Sequence, residues 1–174
     1  MAAIPPNTTF EAEREKDRIY GWGNHEPNHW LYSPRCAYQQ SQSISLAPAN
    51  YDRWCEFFEK ALVNGHDELR AMMTDRERAA LAALPKIVTI YRGIRLPPGE
   101  ELDTLRPGFS WTLERARAQW FATEYATRFV KRGSPVVLKG SIFRDAIIWL
   151  LLGRNEAEIV VRPGYLLRWD PCSE

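Results

Sequence analysis

The apolar positions of this chain change their period once, near residue 86. Before that point the spacing is helical. Trp54, Phe57, Phe58, Ala61 and Leu62 recur at three- and four-residue intervals behind Asn50 and Asp52. Either of those polar residues can cap a helix, and Asn64-Gly65 ends it. A short helix is expected over residues 67–73. Thr74-Asp75-Arg76-Glu77 then has the form of a capping box, in which a hydroxyl and a carboxylate each accept the other residue's backbone N–H. It opens a helix that runs to Leu84, where Pro85 prevents continuation.

Beyond residue 86 the pattern turns to strand. Ile87, Val88, Ile90 and Tyr91 are β-formers, so residues 86–93 read as a strand. Pro97-Pro98-Gly99 is a turn, and residues 109–112 form a short second strand. Thr112 is a plausible N-cap for a long helix to Arg132, with Ala116, Trp120, Phe121, Tyr125 or Ala126, and Phe129 available for a core. Gly133-Ser134-Pro135 breaks it. Residues 136–143, 156–161 and 165–169 read as strands, and the apolar segment 145–152 fits either strand or short helix. Helices first and strands second make an α+β fold, with N-terminal helices packed on a mostly antiparallel β core. Residues 1–49 stand apart as a polar tail and an irregular aromatic-rich segment containing Tyr20, Trp22, Trp30, Tyr32 and Tyr38. Residues 50–174 form the folded domain, helical over 50–85 and β-rich over 86–174.

Composition narrows the function classes. At 174 residues with 45% hydrophobic and 26% charged side chains, the chain is an ordinary globular one, and its net charge of +1 implies no general attraction to nucleic acid or membrane. Residues 1–85 carry 9 Lys/Arg against 12 Asp/Glu, and the remainder carries 14 against 10. A mildly basic second half suits an anionic ligand as well as it suits a scatter of solvated charge. Three cysteines, Cys36, Cys55 and Cys172, make neither a disulfide framework nor a metal motif. His25 and His29 have zinc-helix spacing, but Pro27 lies between them, so no metal is expected. The chain begins without a signal-like pattern, and its longest apolar run is too short to span a bilayer, so a cytoplasmic location is expected, that of a host cell included.

Three short segments carry chemistry. Tyr91-Arg92-Gly93 ends the first strand, where an arginine fork can meet a phosphate while glycine lets the backbone approach a ligand. In Ser110-Trp111-Thr112 the two hydroxyls share one strand face and the indole takes the other. In Glu156-Ala157-Glu158 two carboxylates share a face on a strand, where like charges repel and call for a cationic or hydroxyl-rich ligand. Each segment also has a plain structural reading: a salt-bridged arginine beside a turn, an N-cap threonine, a solvated strand start.

In this order the segments resemble the Arg-Ser-Glu class of mono-ADP-ribosyltransferases, and look especially like small phage and bacterial proteins of that class. The similarity covers roughly residues 86–163. It implies an ADP-ribosyltransferase-like fold and NAD as co-substrate, with no metal. Arg92 would contact the NAD phosphates and adjoining ribose, beside Tyr91, and the Gly93 backbone would hold the nicotinamide carboxamide. Ser110 would position Glu158, and Thr112 would support the same pocket. Glu158 would be the catalytic glutamate and Glu156 would orient or deprotonate the acceptor. A first glutamate in the pair usually accompanies arginine, so the resemblance implies a protein acceptor modified on arginine. The sequence departs from the class in the Trp111 at the centre of the middle segment and in the short connection from Arg92 to Ser110. Phe121 and Tyr125 are candidates for the ring that stacks on nicotinamide. Two other readings remain open: an NAD glycohydrolase that uses the same residues on water, and a non-catalytic, phage-type inhibitor that acts by binding. Nucleic-acid binding is the weaker expectation, because basic and aromatic residues do not interleave on one element. The state of association is open.

Overall fold

The computed structural model describes residues 48–63, 67–102, 107–128, 132–153 and 157–172. The tail and aromatic segment expected before residue 48, the two histidines there, and Phe129 and Glu156 lie outside the described residues. The chain divides into two compact units, Met1–Gly65 and His66–Glu174. In the first, helix α1 (Pro48–Val63) starts before either expected cap, two residues ahead of Asn50 and four ahead of Asp52. Proline suits a first helical turn, where its missing N–H would have had no partner. Tyr51, Trp54 and Phe58 are buried, at i, i+3 and i+7 of one stripe. The Trp54 ring lies 5.3 Å from Phe58 and 5.7 Å from Phe57.

The second unit opens with α2 (Asp67–Ala71) and α3 (Asp75–Ala82) and continues as β1 (Ile87–Leu96), β2 (Ser110–Thr112), α4 (Arg115–Trp120), β3 (Ser134–Phe143), β4 (Ile147–Leu151), β5 (Glu158–Val161) and β6 (Arg168–Pro171). Among the described residues the strands form one sheet in the order β4-β5-β2-β1-β3-β6, and every pairing is antiparallel. The α+β expectation therefore holds. β1 and β3 make its longest ladder, from Ile87↔Phe143 to Leu96↔Ser134 without a bulge.

The capping box forms as expected: the Thr74 hydroxyl accepts the Glu77 N–H at 3.3 Å, and Glu77 Oε2 accepts the Thr74 N–H at 2.8 Å. The segment left between strand and helix is β4, with all five residues buried. It reads as a continuous apolar run because it is covered on every side. Although β4 is an edge strand, α2 and α3 pack along it. The Trp149 indole donates to the Leu69 carbonyl at 2.8 Å, the Leu150 N–H meets Met73 Sδ at 3.4 Å, and the Leu152 N–H meets Glu77 Oε1 at 3.1 Å.

The long helix expected from Thr112 to Arg132 starts later and changes type along its length, and residues 129–131 lie outside the described residues. Thr112 belongs to the β2 ladder, and α4 starts at Arg115 behind Glu114. After Trp120 the chain widens into a π turn over Phe121–Tyr125 and tightens into a 3-10 turn over Ala126–Arg128. The expected core face is corrected as well. Ala116 is exposed, whereas Ala118 and Ala122 are buried against Val137, with Tyr91 and Cys172 packed beside them. The reason is close approach: a Cβ on Gly93 would stand 1.8 Å from the Ala118 carbonyl oxygen. Only small residues fit on the helix face that meets β1. The large rings are pushed to its flank, where Trp120, Phe121 and Tyr125 are half-buried and pack on one another with centroids 5.1–5.5 Å apart. The last strand also begins later than expected, at Arg168, because Pro163–Tyr165 is a 3-10 turn with the Arg162 guanidinium 5.2 Å over the Tyr165 ring.

Candidate functional site

Of the three candidate segments, Tyr91-Arg92-Gly93 lies on β1, Ser110-Trp111-Thr112 is β2, and from the third Glu158 opens β5, two residues later than the strand expected from 156; β2 stands between β1 and β5. Tyr91 stands opposite Thr112, and Thr112 opposite Glu158. Directly opposed residues on antiparallel strands share a face, with Cβ atoms about 4.5–5.5 Å apart. Tyr91, Thr112 and Glu158 thus make one cross-strand row, which continues to Leu151 on one side and to Lys139 and Asp170 on the other. Ser110 shares this face by alternation but stands opposite Val160. It is Thr112, rather than Ser110, that lies directly beside Glu158.

Glu158 is half-buried at the first position of β5. Thr112 is buried, and its hydroxyl accepts the Glu114 N–H at 3.2 Å, which turns the chain out of the sheet toward α4. Glu156 lies outside the described residues. Gly93 meets α4 directly, so the absence of its side chain has a packing cause in addition to any role of its backbone.

Arg92 follows Tyr91 on an unbulged strand, so its Cβ belongs to the opposite face, with Trp111 and Ile159. Its guanidinium returns toward the sheet. β1 and β2 are bridged at a single pair, Tyr91 and Thr112, although β1 runs on to Leu96. Phe109 directs its carbonyl to β5, where it accepts the Val161 N–H at 2.9 Å. Carbonyls alternate in direction along a strand, so that of Ser110 is turned to β1. There it accepts a hydrogen bond from Arg92 Nη1 at 2.5 Å. The cation therefore sits where two central strands part company. It is half-buried, and Gly108 lies against it.

Sequence reasoning did not find Gly108 or Trp111 as parts of this arrangement. The signal was present: Pro107-Gly108 precedes the hydroxyl segment, and an indole stands between its two hydroxyls. Among the described residues no group of three or more His, Cys, Asp or Glu side chains could hold a metal ion, and no helix is long and apolar enough to cross a membrane. No protein-family model matches the chain, no curated protein is significantly similar to it, and no solved structure matches its fold. The residues themselves carry the functional argument.

Proposed function

We propose that this protein is an NAD-dependent mono-ADP-ribosyltransferase of ADP-ribosyltransferase-like fold, acting from the part of the sheet where β2 runs between β1 and β5. The observation that supports it is the cross-strand row Tyr91–Thr112–Glu158, with the Arg92 cation, rooted on the other face of the sheet, drawn to the Ser110 carbonyl at the parting of β1 and β2. One carboxylate, flanking hydroxyls and one arginine fork are the groups that a cationic ribosyl centre and a diphosphate call for.

In this reading Arg92 holds the NAD diphosphate, and Glu158 accepts a hydrogen bond from the 2′-hydroxyl of the nicotinamide ribose. The C1′–N bond breaks, its electron pair leaves with neutral nicotinamide, and positive charge develops on the ribosyl ring. The Glu158 carboxylate stabilises that charge, as carboxylates do for the oxocarbenium-like state in glycoside cleavage. A nucleophile on a protein acceptor supplies the pair for the new bond to C1′ and loses its proton to a carboxylate. Glu156 takes that part, and an arginine guanidinium is the acceptor that best pairs with it.

The test is nicotinamide release from NAD, alone and with a cell lysate, by the native protein and by Glu158→Gln. The variant keeps the shape of the side chain and removes its charge, so release falls by a factor of about 10²–10³ while the fold is retained. Native turnover in that variant overturns the reading. Labelled ADP-ribose appearing on a macromolecule identifies a transferase, whereas free ADP-ribose alone identifies a glycohydrolase. Mapping of modified residues by mass spectrometry finds arginine, and modification confined to other residue types refutes that assignment.

A second reading, a protein that acts by binding without catalysis, draws on a different observation. Gly93 is filled by α4, and Arg92 already donates to a backbone carbonyl, so both have structural work to do. Biological activity retained in Glu158→Gln selects it.

A further inference from the structure

The indole at the centre of Ser110-Trp111-Thr112 is the residue that the proposed function leaves without a task, and its contacts lead to the arginine. Trp111 is buried, on the same face as Ile90 and Gly140. A Cβ on Gly140 would lie 3.1 Å from the indole Cζ3, so the ring is packed tightly against β3. Its Nε1 donates to the Gly108 carbonyl at 2.8 Å, and this bond is buried. The Gly108 peptide is thereby fixed relative to the sheet. Its Cα faces the Arg92 guanidinium so closely that a Cβ there would stand 2.3 Å from both Cζ and Nη2 and 2.6 Å from Nη1. On the far side Nη1 donates to the Ser110 carbonyl. The planar cation is held between a glycine peptide and a strand carbonyl, and the indole locks the glycine.

We propose that Trp111 and Gly108 are positioning residues for Arg92, together fixing its guanidinium at the parting of β1 and β2 for an anionic ligand, which under the function proposed above is the NAD diphosphate. Neither residue touches the substrate. Gly108 leaves room for the fork, and Trp111 keeps Gly108 in place. Trp111 thus has a reason to stand where the resembled class has another residue. A long flexible cation gains most from such a frame, because its rotamer freedom must otherwise be lost when the ligand binds.

The proposal rests on that functional reading, so the test separates the two. Gly108→Ala and Trp111→Phe are assayed for nicotinamide release, beside an Arg92→Lys reference. Displacement of the fork weakens ground-state and transition-state binding alike. It raises KM for NAD about tenfold in Gly108→Ala, with kcat within about twofold. Trp111→Phe keeps the ring and loses the N–H, so it raises KM by about threefold to tenfold. In the Arg92→Lys background, Gly108→Ala adds no further rise, since an ammonium has no planar fork to lie on the glycine. A native KM in both variants, or a loss confined to kcat and equal in the two backgrounds, overturns the positioning role. Circular dichroism checks folding, and if Gly108→Ala does not fold, Trp111→Phe decides. A native protein that releases no nicotinamide overturns the functional reading instead. The Arg92 Nε–H resonance then decides positioning: it shifts in both variants if they hold the guanidinium, and stays unmoved in both if they do not.

Discussion

The β4 edge of the sheet and its centre differ in where their polar groups lie. An edge strand ordinarily presents open N–H and C=O groups, while the central strands are the driest. Here all five residues of β4 are buried; the Trp149 indole and the Leu150 N–H meet Leu69 of α2 and Met73 just after it, and the Leu152 N–H that follows the strand meets Glu77 of α3. The centre has buried apolar residues, Ile90, Trp111 and Ile159 among them, and polar side chains set between them. Tyr91, Arg92, Ser110 and Glu158 are all half-buried, and β1 meets β2 at a single bridge. A fold that closes its edge with helices and sets charged and hydroxyl groups in mid-sheet keeps its packed edge apart from the residues of the proposed site. Residues at the edge should therefore govern unfolding, and those at the centre should govern ligand handling.

The largest effect expected from this comparison is at the edge. Trp149→Ala removes a fully buried ring and its hydrogen bond to Leu69, and should cost about 3–5 kcal/mol in chemical denaturation. A loss below about 1 kcal/mol would mean that the helices do not hold that edge. At the centre, Glu158→Gln should lower kcat for nicotinamide release by about 10²–10³ while the denaturation midpoint stays put. A large shift in midpoint with turnover intact would collapse the distinction. Gly93→Ala tests the boundary between the two roles. Its new Cβ collides with the Ala118 carbonyl, so about 1–3 kcal/mol of stability should be lost whether or not NAD is present. If Gly93 serves only a ligand, the apo protein would melt unchanged. The smallest effect is that of Thr74→Ala, which removes one half of the capping box at a cost of about 1 kcal/mol, with KM and kcat for NAD at native values.

Much of this was legible in the chain. The capping box of α3 needed only Thr74 and Glu77 at the right spacing, because both of its bonds are local. β1 and β3 were visible as β-branched runs between turn residues. The failures share one cause. The helix expected from Thr112 was read from ring spacing, but the sheet claims Thr112 and Gly93 selects alanines on the facing helix, so Trp120, Phe121 and Tyr125 yield the core to Ala118 and Ala122. The β4 segment could not be told from a helix, since a strand covered on every side has lost its two-residue alternation.

The candidate site divides in the same way. Tyr91-Arg92-Gly93, Ser110-Trp111-Thr112 and Glu158 were marked as chemistry by residue type and order alone. Sequence by itself determined those identities, the α+β class and the change of period near residue 86, because each rests on contacts made within a few residues. Only the tertiary structure decided that Thr112 stands beside Glu158, that Ser110 offers Arg92 a carbonyl, and that Trp111 reaches Gly108. Register between strands, and the spacing of a helix above a glycine, depend on partners that are far away in the chain, and no local pattern encodes them.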